Sequence, residues 1–399
     1  MIYLFIVLIL LIIFFLFCFL HSLGIKVNEN IVVTFICSFI ILSIITNPSL
    51  TLTATLDGAI LFVKSVFVSI FPFLVIINIM FQYGGINIYS KIFGNLLCTP
   101  LKFPKNCSVV LIVSALCGYP LGAKYAIDLY SNRKIDFDTC NRLISVASNP
   151  SPLFVIGVVG VKILNNKFIG YILLISMYLS CIFMALIIRP HNSNYRTKTS
   201  TKVPLSQNIQ TKNLGTILKN SISDGLVTSL NIGGFVILFS VIINIIKNNT
   251  VFDIVFHQLS LILHISEKIS RSFILGLIEL TNGCNEVNLI SISQNNKIII
   301  ISFLLGFSGF SIIAQVSSFI SKENFSVKKY TIYKFIQGII CSVITFALLK
   351  IDIFSLNKKV FFNTNSIPNA NIEMSILSLF VIILLIIPLF IQKLFDSIS

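Results

Sequence analysis

Hydrophobic residues run along this chain in long blocks separated by short polar intervals. Residues 1–20 are uninterrupted apolar sequence. Further apolar runs long enough to cross about 30 Å of hydrocarbon fall near 31–47, 58–82, 143–161, 168–188, 225–246, 298–320, 331–350 and 375–393. The pattern predicts nine transmembrane helices. The first run has no basic residues before it and no small-residue cleavage site after it, so it reads as a retained span and not a signal peptide. Two other apolar stretches, near 107–126 and 271–286, are too short or too interrupted to cross straight, and each holds glycine with polar groups at its centre. Non-helical backbone at membrane depth is tolerated only where protein or a water-filled cavity satisfies it. Both stretches are therefore expected as re-entrant hairpins, preceded by short interfacial segments at 86–105 and 252–268.

Composition sharpens that picture. The 399 residues are 56% hydrophobic and only 11% charged, against roughly 25% charged residues in a soluble domain. A soluble enzyme, a disordered regulator and a secreted disulfide domain are excluded, the last because nine cysteines lie scattered with no CxxC pair. The formal charge of +15 is read as basic residues retained in cytoplasmic loops, where they fix orientation and meet anionic lipid. It is not read as a nucleic-acid surface, because no basic-aromatic stripe or zinc spacing accompanies it.

The segment 189–219 carries Arg189, Arg196, Lys198, Lys202, Lys212 and Lys219 without a single acid, and is expected as a flexible cytoplasmic linker. Counting spans outward places 84–107 (Lys91, Lys102, Lys105) and 321–334 (Lys322, Lys328, Lys329, Lys334) on the same side. The N-terminus is then outside and the C-terminus inside. The chain divides into an N-terminal helix pair at 1–57, a first repeat at 58–188, the basic linker at 189–220, a second repeat at 221–350 and a C-terminal loop and helix at 351–399.

The two repeats share a layout. In the first, the span marked by Phe71-Pro72-Phe73 is followed by the hairpin ending Cys117-Gly118-Tyr119-Pro120-Leu121-Gly122-Ala123-Lys124, then by the broken stretch Ser148-Asn149-Pro150-Ser151-Pro152. In the second, Gly233-Gly234-Phe235 is followed by Gly276-Leu277-Ile278-Glu279-Leu280-Thr281-Asn282-Gly283, then by Gly306-Phe307-Ser308-Gly309-Phe310-Ser311. The landmarks keep an offset near 160 residues. Three spans plus one hairpin make an odd number of crossings, so the second unit is expected upside down relative to the first. Inverted repeats with paired interrupted segments belong to secondary transporters, with the substrate site where the breaks meet.

The breaks suggest chemistry. A helix that starts inside the membrane presents unpaired N–H groups and the positive end of its dipole. Asn149-Pro150-Ser151-Pro152 suits such a start, with Asn149 or Ser151 as the cap, and a carboxylate would be well placed there. Lys124 and Arg142 flank the region as a point charge and a bidentate fork, although Arg142 also reads as a snorkelling anchor. Gly118, Asn282 and Gln315 complete the candidate substrate-binding set, Gln315 reading equally as a helix-to-helix hydrogen bond. Glu279 lies among apolar residues, and an intramembrane carboxylate is by default a functional candidate. It could carry a proton, ligate Na⁺ or neutralise Lys124. Glu286 and Asn285 are weaker candidates, and Asp57 and Lys64 read as interface anchors.

Enzyme readings are weak. Gly306-Phe307-Ser308-Gly309 matches the GxSG pattern of intramembrane serine proteases, but no histidine follows His264 to activate the serine. His21, His191, His257 and His264 have no metal-ligand spacing, and no Walker A loop is present. Neither cofactor nor metal is expected.

At these same residues the chain resembles the family of sporulation integral membrane proteins known as YlbJ, or stage V sporulation protein V. The resemblance rests on Cys117 to Lys124, Asn141-Arg142-Leu143 leading into Ser148 to Gly157, Gly276 to Gly283, and Gly309-Phe310-Ser311 with Gln315-Val316, and covers about residues 58–350. Asn149-Pro150 departs from the family pattern, where a more glycine-like turn is expected. The resemblance implies a nucleoside-transporter-like gate domain in the outer forespore membrane, made in the mother cell and needed for dipicolinic acid to cross. The expected partners are then a small organic anion and membrane lipid, with a homodimer left open. An ion-coupled nucleoside carrier and a non-transporting scaffold for spore assembly are the alternatives. The composition, rich in Ile, Asn and Lys and free of Trp, also looks like that of a low-GC genome.

Overall fold

The structure is a computed structural model that describes residues 29–188, 213–320 and 325–351. The spans expected at 1–20 and 375–393, most of the basic linker and Lys322 lie outside the described residues. Among the described residues every regular element is helical. Four of these helices are long and apolar enough to cross a membrane, or up to six if each of two bent pairs forms one span. The expected count of nine is not reproduced among the described residues.

The first helix, α1 (Glu29–Thr46), turns by 106° at Asn47 into α2 (Pro48–Leu61). Proline at the first position of α2 fits, because that N–H has no partner inside the helix. A π-helical stretch, Phe62–Phe67, joins α2 to α3 (Val68–Gln82). Gly84, at φ +77°, lets the chain bend by 91° into α4 (Gly85–Phe93). The boundary expected at residue 57 therefore falls inside a helix.

The next segment folds as α5 (Ser108–Cys117) and α6 (Leu121–Ser131), meeting at Gly118-Tyr119-Pro120. The apolar run expected as one span at 143–161 is in fact two elements. Helix α7 (Phe137–Val146) ends before the prolines, and a π-helix, Leu153–Ile163, begins after them. Helix α8 (Lys167–Ile187) is long and apolar enough to cross, and its start is capped by Asn166 Oδ1, which accepts from the N–H groups of Phe168 and Ile169.

The second half repeats the order. Helix α9 (Leu214–Lys247) begins before the expected end of the linker, so Lys219 lies within it. Then come α10 (Thr250–Leu263), the pair α11 (Glu267–Ile278) and α12 (Leu280–Leu289), the broken pair α13 (Gln294–Phe307) and α14 (Phe310–Ile320), and α15 (Val327–Lys350).

Contacts between the halves are reciprocal. Helix α9 packs on α2 and α3, its counterparts, and α15 packs on its counterpart α8. Helix α6 meets α14 while α12 meets the π-helix Leu153–Ile163; α7 meets α15 while α13 meets α8. The last four contacts form two pairs with the halves exchanged. Ser148 and Ser308, Ser151 and Ser311, and Cys181 and Cys341 are each 160 residues apart. The last two thiols lie within electrostatic range of one another at the α8–α15 interface.

Glycine permits two of the closest crossings. Gly160 faces the Gly170 backbone between the π-helix and α8, and Gly306 faces Gly338 between α13 and α15. A Cβ at either position would stand 2.7 Å from the opposing glycine Cα, so small residues set the helix separation.

Candidate functional site

The two helix breaks and the tips of the two helix pairs converge. Gly118 has φ +82°, and a Cβ there would lie 2.6 Å from the Ser151 nitrogen, so the α5–α6 tip rests on the first break. Gly309, also at φ +82°, sits over the α11–α12 tip, with the Leu280 nitrogen 3.3 Å from an added Cβ. The tips are close to each other in turn, since Tyr119 lies within electrostatic range of Glu279 and Cys284 of the second pair.

Local sequence makes each break. Pro150 and Pro152 lack the N–H groups that would continue α7. Asn149 Nδ2 instead donates to the Val146 carbonyl at 2.7 Å, closing the helix end. Ser151 Oγ accepts from the Phe154 N–H at 3.3 Å, opening the π-helix. Ser308 terminates α13 in a left-handed conformation, φ +79°, which is uncommon for a residue with a Cβ. Its Oγ is buried without a hydrogen-bond partner among the described residues, as is the Tyr119 hydroxyl.

The first break is tied to α15 by a buried polar network. Lys334, 0% exposed, donates through Nζ to the Ser148 carbonyl at 2.6 Å and to Gln337 Oε1 at 2.8 Å. Gln337 Nε2 donates to Asn149 Oδ1 at 2.8 Å and lies 3.2 Å from Cys181 Sγ. The Tyr330 hydroxyl donates to Ser148 Oγ at 2.8 Å. Lys334 was expected among loop charges at 321–334, and the structure corrects this. It occupies the second turn of α15, a helix long and apolar enough to cross a membrane, with its side chain inside the protein. Tyr330, Lys334, Gln337 and Cys341 recur at helical spacing on one face of α15, and this polar stripe in an apolar span was the signal that could have found them.

The other candidates divide. Asn149, Ser151 and Gly118 stand at the convergence, as described. Glu279 is half-buried between α11 and α12 and caps the latter: its carboxylate accepts from the Thr281 N–H at 2.9 Å, the Asn282 N–H at 2.8 Å and Asn282 Nδ2 at 3.0 Å. Asn282 thus meets Glu279 itself. Gln315 is buried in α14, in the second half of the broken pair. Lys124 does not reach Glu279; it lies 3.6 Å from Asp128, one turn along α6, and over the Tyr125 ring at 4.6 Å.

Arg142 is placed differently. Its guanidinium donates to the carbonyls of Ile188 at 2.5 Å, Lys102 at 3.1 Å, Leu101 at 3.2 Å and Ala185 at 3.4 Å, and it stacks 4.4 Å above Phe103. This fork ties α7 to the end of α8 and to the 101–103 turn. Glu286, a weaker candidate, pairs with Lys247 at 2.7 Å.

No protein-family model matches the chain, and no solved structure does. Among curated proteins the chain is similar to the sporulation integral membrane protein YlbJ of Bacillus subtilis (strain 168). The identity is 25% over 342 residues, covering 82% of this chain and 84% of the relative.

Proposed function

We propose that this chain, similar over most of its length to the sporulation integral membrane protein YlbJ, is a member of that family and a secondary carrier that moves a small organic anion, dipicolinic acid foremost, across the outer forespore membrane during sporulation. The two halves act as inverted gate repeats, and transport proceeds by alternating access around the convergence of breaks and tips.

One observation carries this reading. The interrupted helix of each half meets the helix pair of the other, α14 on α6 and the π-helix Leu153–Ile163 on α12, and each pair's tip rests on the break of its own half. A scaffold has no need of irregular backbone at that depth, whereas a carrier uses it to line a site. The start of the π-helix Leu153–Ile163 directs N–H groups toward the first break, which favours a carboxylate. Glu279 is the proposed coupling group. Its carboxylate accepts three donors at the start of α12, and protonation would weaken that cap and link ion binding to the hairpin tip.

The test is uptake of labelled dipicolinate into liposomes containing the purified protein, with and without a proton or sodium gradient. Saturable uptake accelerated by a gradient is expected. Uptake blocked by excess nucleoside would favour the nucleoside carrier instead, and no uptake by well-folded protein would favour the scaffold.

A further inference from the structure

Lys334 carries a formal charge into the protein interior, and among the described residues no carboxylate meets it. The titratable groups acting on it are the thiols of Cys181 and Cys341, and its two hydrogen-bond acceptors are the neutral oxygens of Ser148 and Gln337. A buried ammonium without a counter-ion is costly, and an ionisable group inside a spanning helix is by default functional. An ammonium has three donors, and these contacts engage two. The surroundings add further donors. The π-helix Leu153–Ile163 begins just beyond Ser148, with Pro152 at its N-cap. The Tyr119 hydroxyl, buried without a partner among the described residues, lies within electrostatic range of Tyr330 on α15. Glu279 also acts on Tyr119, but its carboxylate is already engaged by α12.

We propose that Lys334 is the cation that recognises a carboxylate of the transported anion, with the oxygens of Ser148 and Gln337 occupying, in this structure, positions that carboxylate oxygens take on binding. The proposal rests on the carrier reading above. It also gives α15 a role in transport, because the anion would compete with the bond that ties α15 to the first break.

The experiment measures the thermal midpoint of the purified protein against dipicolinate, and against pyridine-2,6-dicarboxamide as an uncharged isostere, alongside liposome uptake. Wild type is expected to be stabilised by dipicolinate and not by the diamide. Gln337→Glu places a carboxylate within reach of Lys334 at nearly constant side-chain volume, and should weaken apparent dipicolinate affinity about ten-fold or more. Lys334→Met should abolish the shift and Lys334→Arg should keep part of it. If Lys334→Met does not fold, Gln337→Glu decides. Wild-type affinity in Gln337→Glu, with saturable uptake by wild type, would overturn the Lys334 assignment and leave the carrier reading standing. Neither binding nor uptake in wild type would overturn both.

Discussion

Replacing Arg142 with alanine should loosen the junction of α7, α8 and the 101–103 turn without touching the convergence of breaks. The side chain is 6% exposed and serves four backbone carbonyls. A hydrogen bond to a charged group contributes about 1.5–3 kcal/mol. The four bonds share one guanidinium, and two of them are long, at 3.2 and 3.4 Å, so simple addition overstates the loss. The two shorter bonds, at 2.5 and 3.1 Å, set a loss of about 3–5 kcal/mol. Arg142→Lys should recover less than half, because one ammonium cannot span carbonyls that a planar fork reaches. Thiol-reactive dye provides the assay: Cys98, Cys107, Cys117, Cys140, Cys181, Cys284 and Cys341 are buried thiols outside any disulfide, and only Cys37 is exposed among the described cysteines. In a background carrying Cys18→Ser and Cys37→Ser, labelling on heating reports unfolding, and Arg142→Ala should lower the midpoint by roughly 5–10 °C. An unchanged midpoint together with lost transport would refute the reasoning and return Arg142 to the substrate site.

Three further outcomes are expected. Gly122→Ala would drive a Cβ into the Ala147 carbonyl oxygen, so folded yield by size-exclusion chromatography should fall sharply, by the overpacking of two backbones that cannot separate. Glu279→Ala removes three capping acceptor contacts and should cost about 1–2 kcal/mol in the same thiol assay, with Glu279→Gln costing less. Glu286→Gln breaks a partly exposed pair with Lys247 and should change stability by about 1 kcal/mol or less, leaving liposome uptake at the wild-type rate.

The interruptions were the most legible features of the sequence. Proline and glycine act on the backbone locally, so Asn149-Pro150-Ser151-Pro152 and Ser308-Gly309 announce helix ends wherever the tertiary structure puts them. The tips at Gly118 and Glu279 were legible for the same reason. Span boundaries were less so, because hydropathy averages over a window and cannot see a bend. The run 143–161 read as one crossing and is two elements, while α2 begins at Pro48, well before the expected start of its span at 58. Charged side chains were the least legible. A lysine near a helix end has the same hydropathy whether it snorkels to the surface or turns inward, so hydropathy grouped Lys334 with Lys328 and Lys329, whereas its place on the polar stripe of α15 and its bond to the Ser148 carbonyl set it apart. Arg142 and Glu279 were singled out as site charges, but their partners are chiefly main-chain groups, which a sequence pattern does not display.

Counterflow tests the central claim most directly. Liposomes containing the purified protein are loaded with unlabelled dipicolinate and diluted into a trace of labelled dipicolinate. A carrier that exposes its site alternately should accumulate label transiently above the external concentration, with no gradient of protons or sodium applied. Equilibration without overshoot would indicate an open pore, and absence of any label from vesicles holding folded protein would contradict the account.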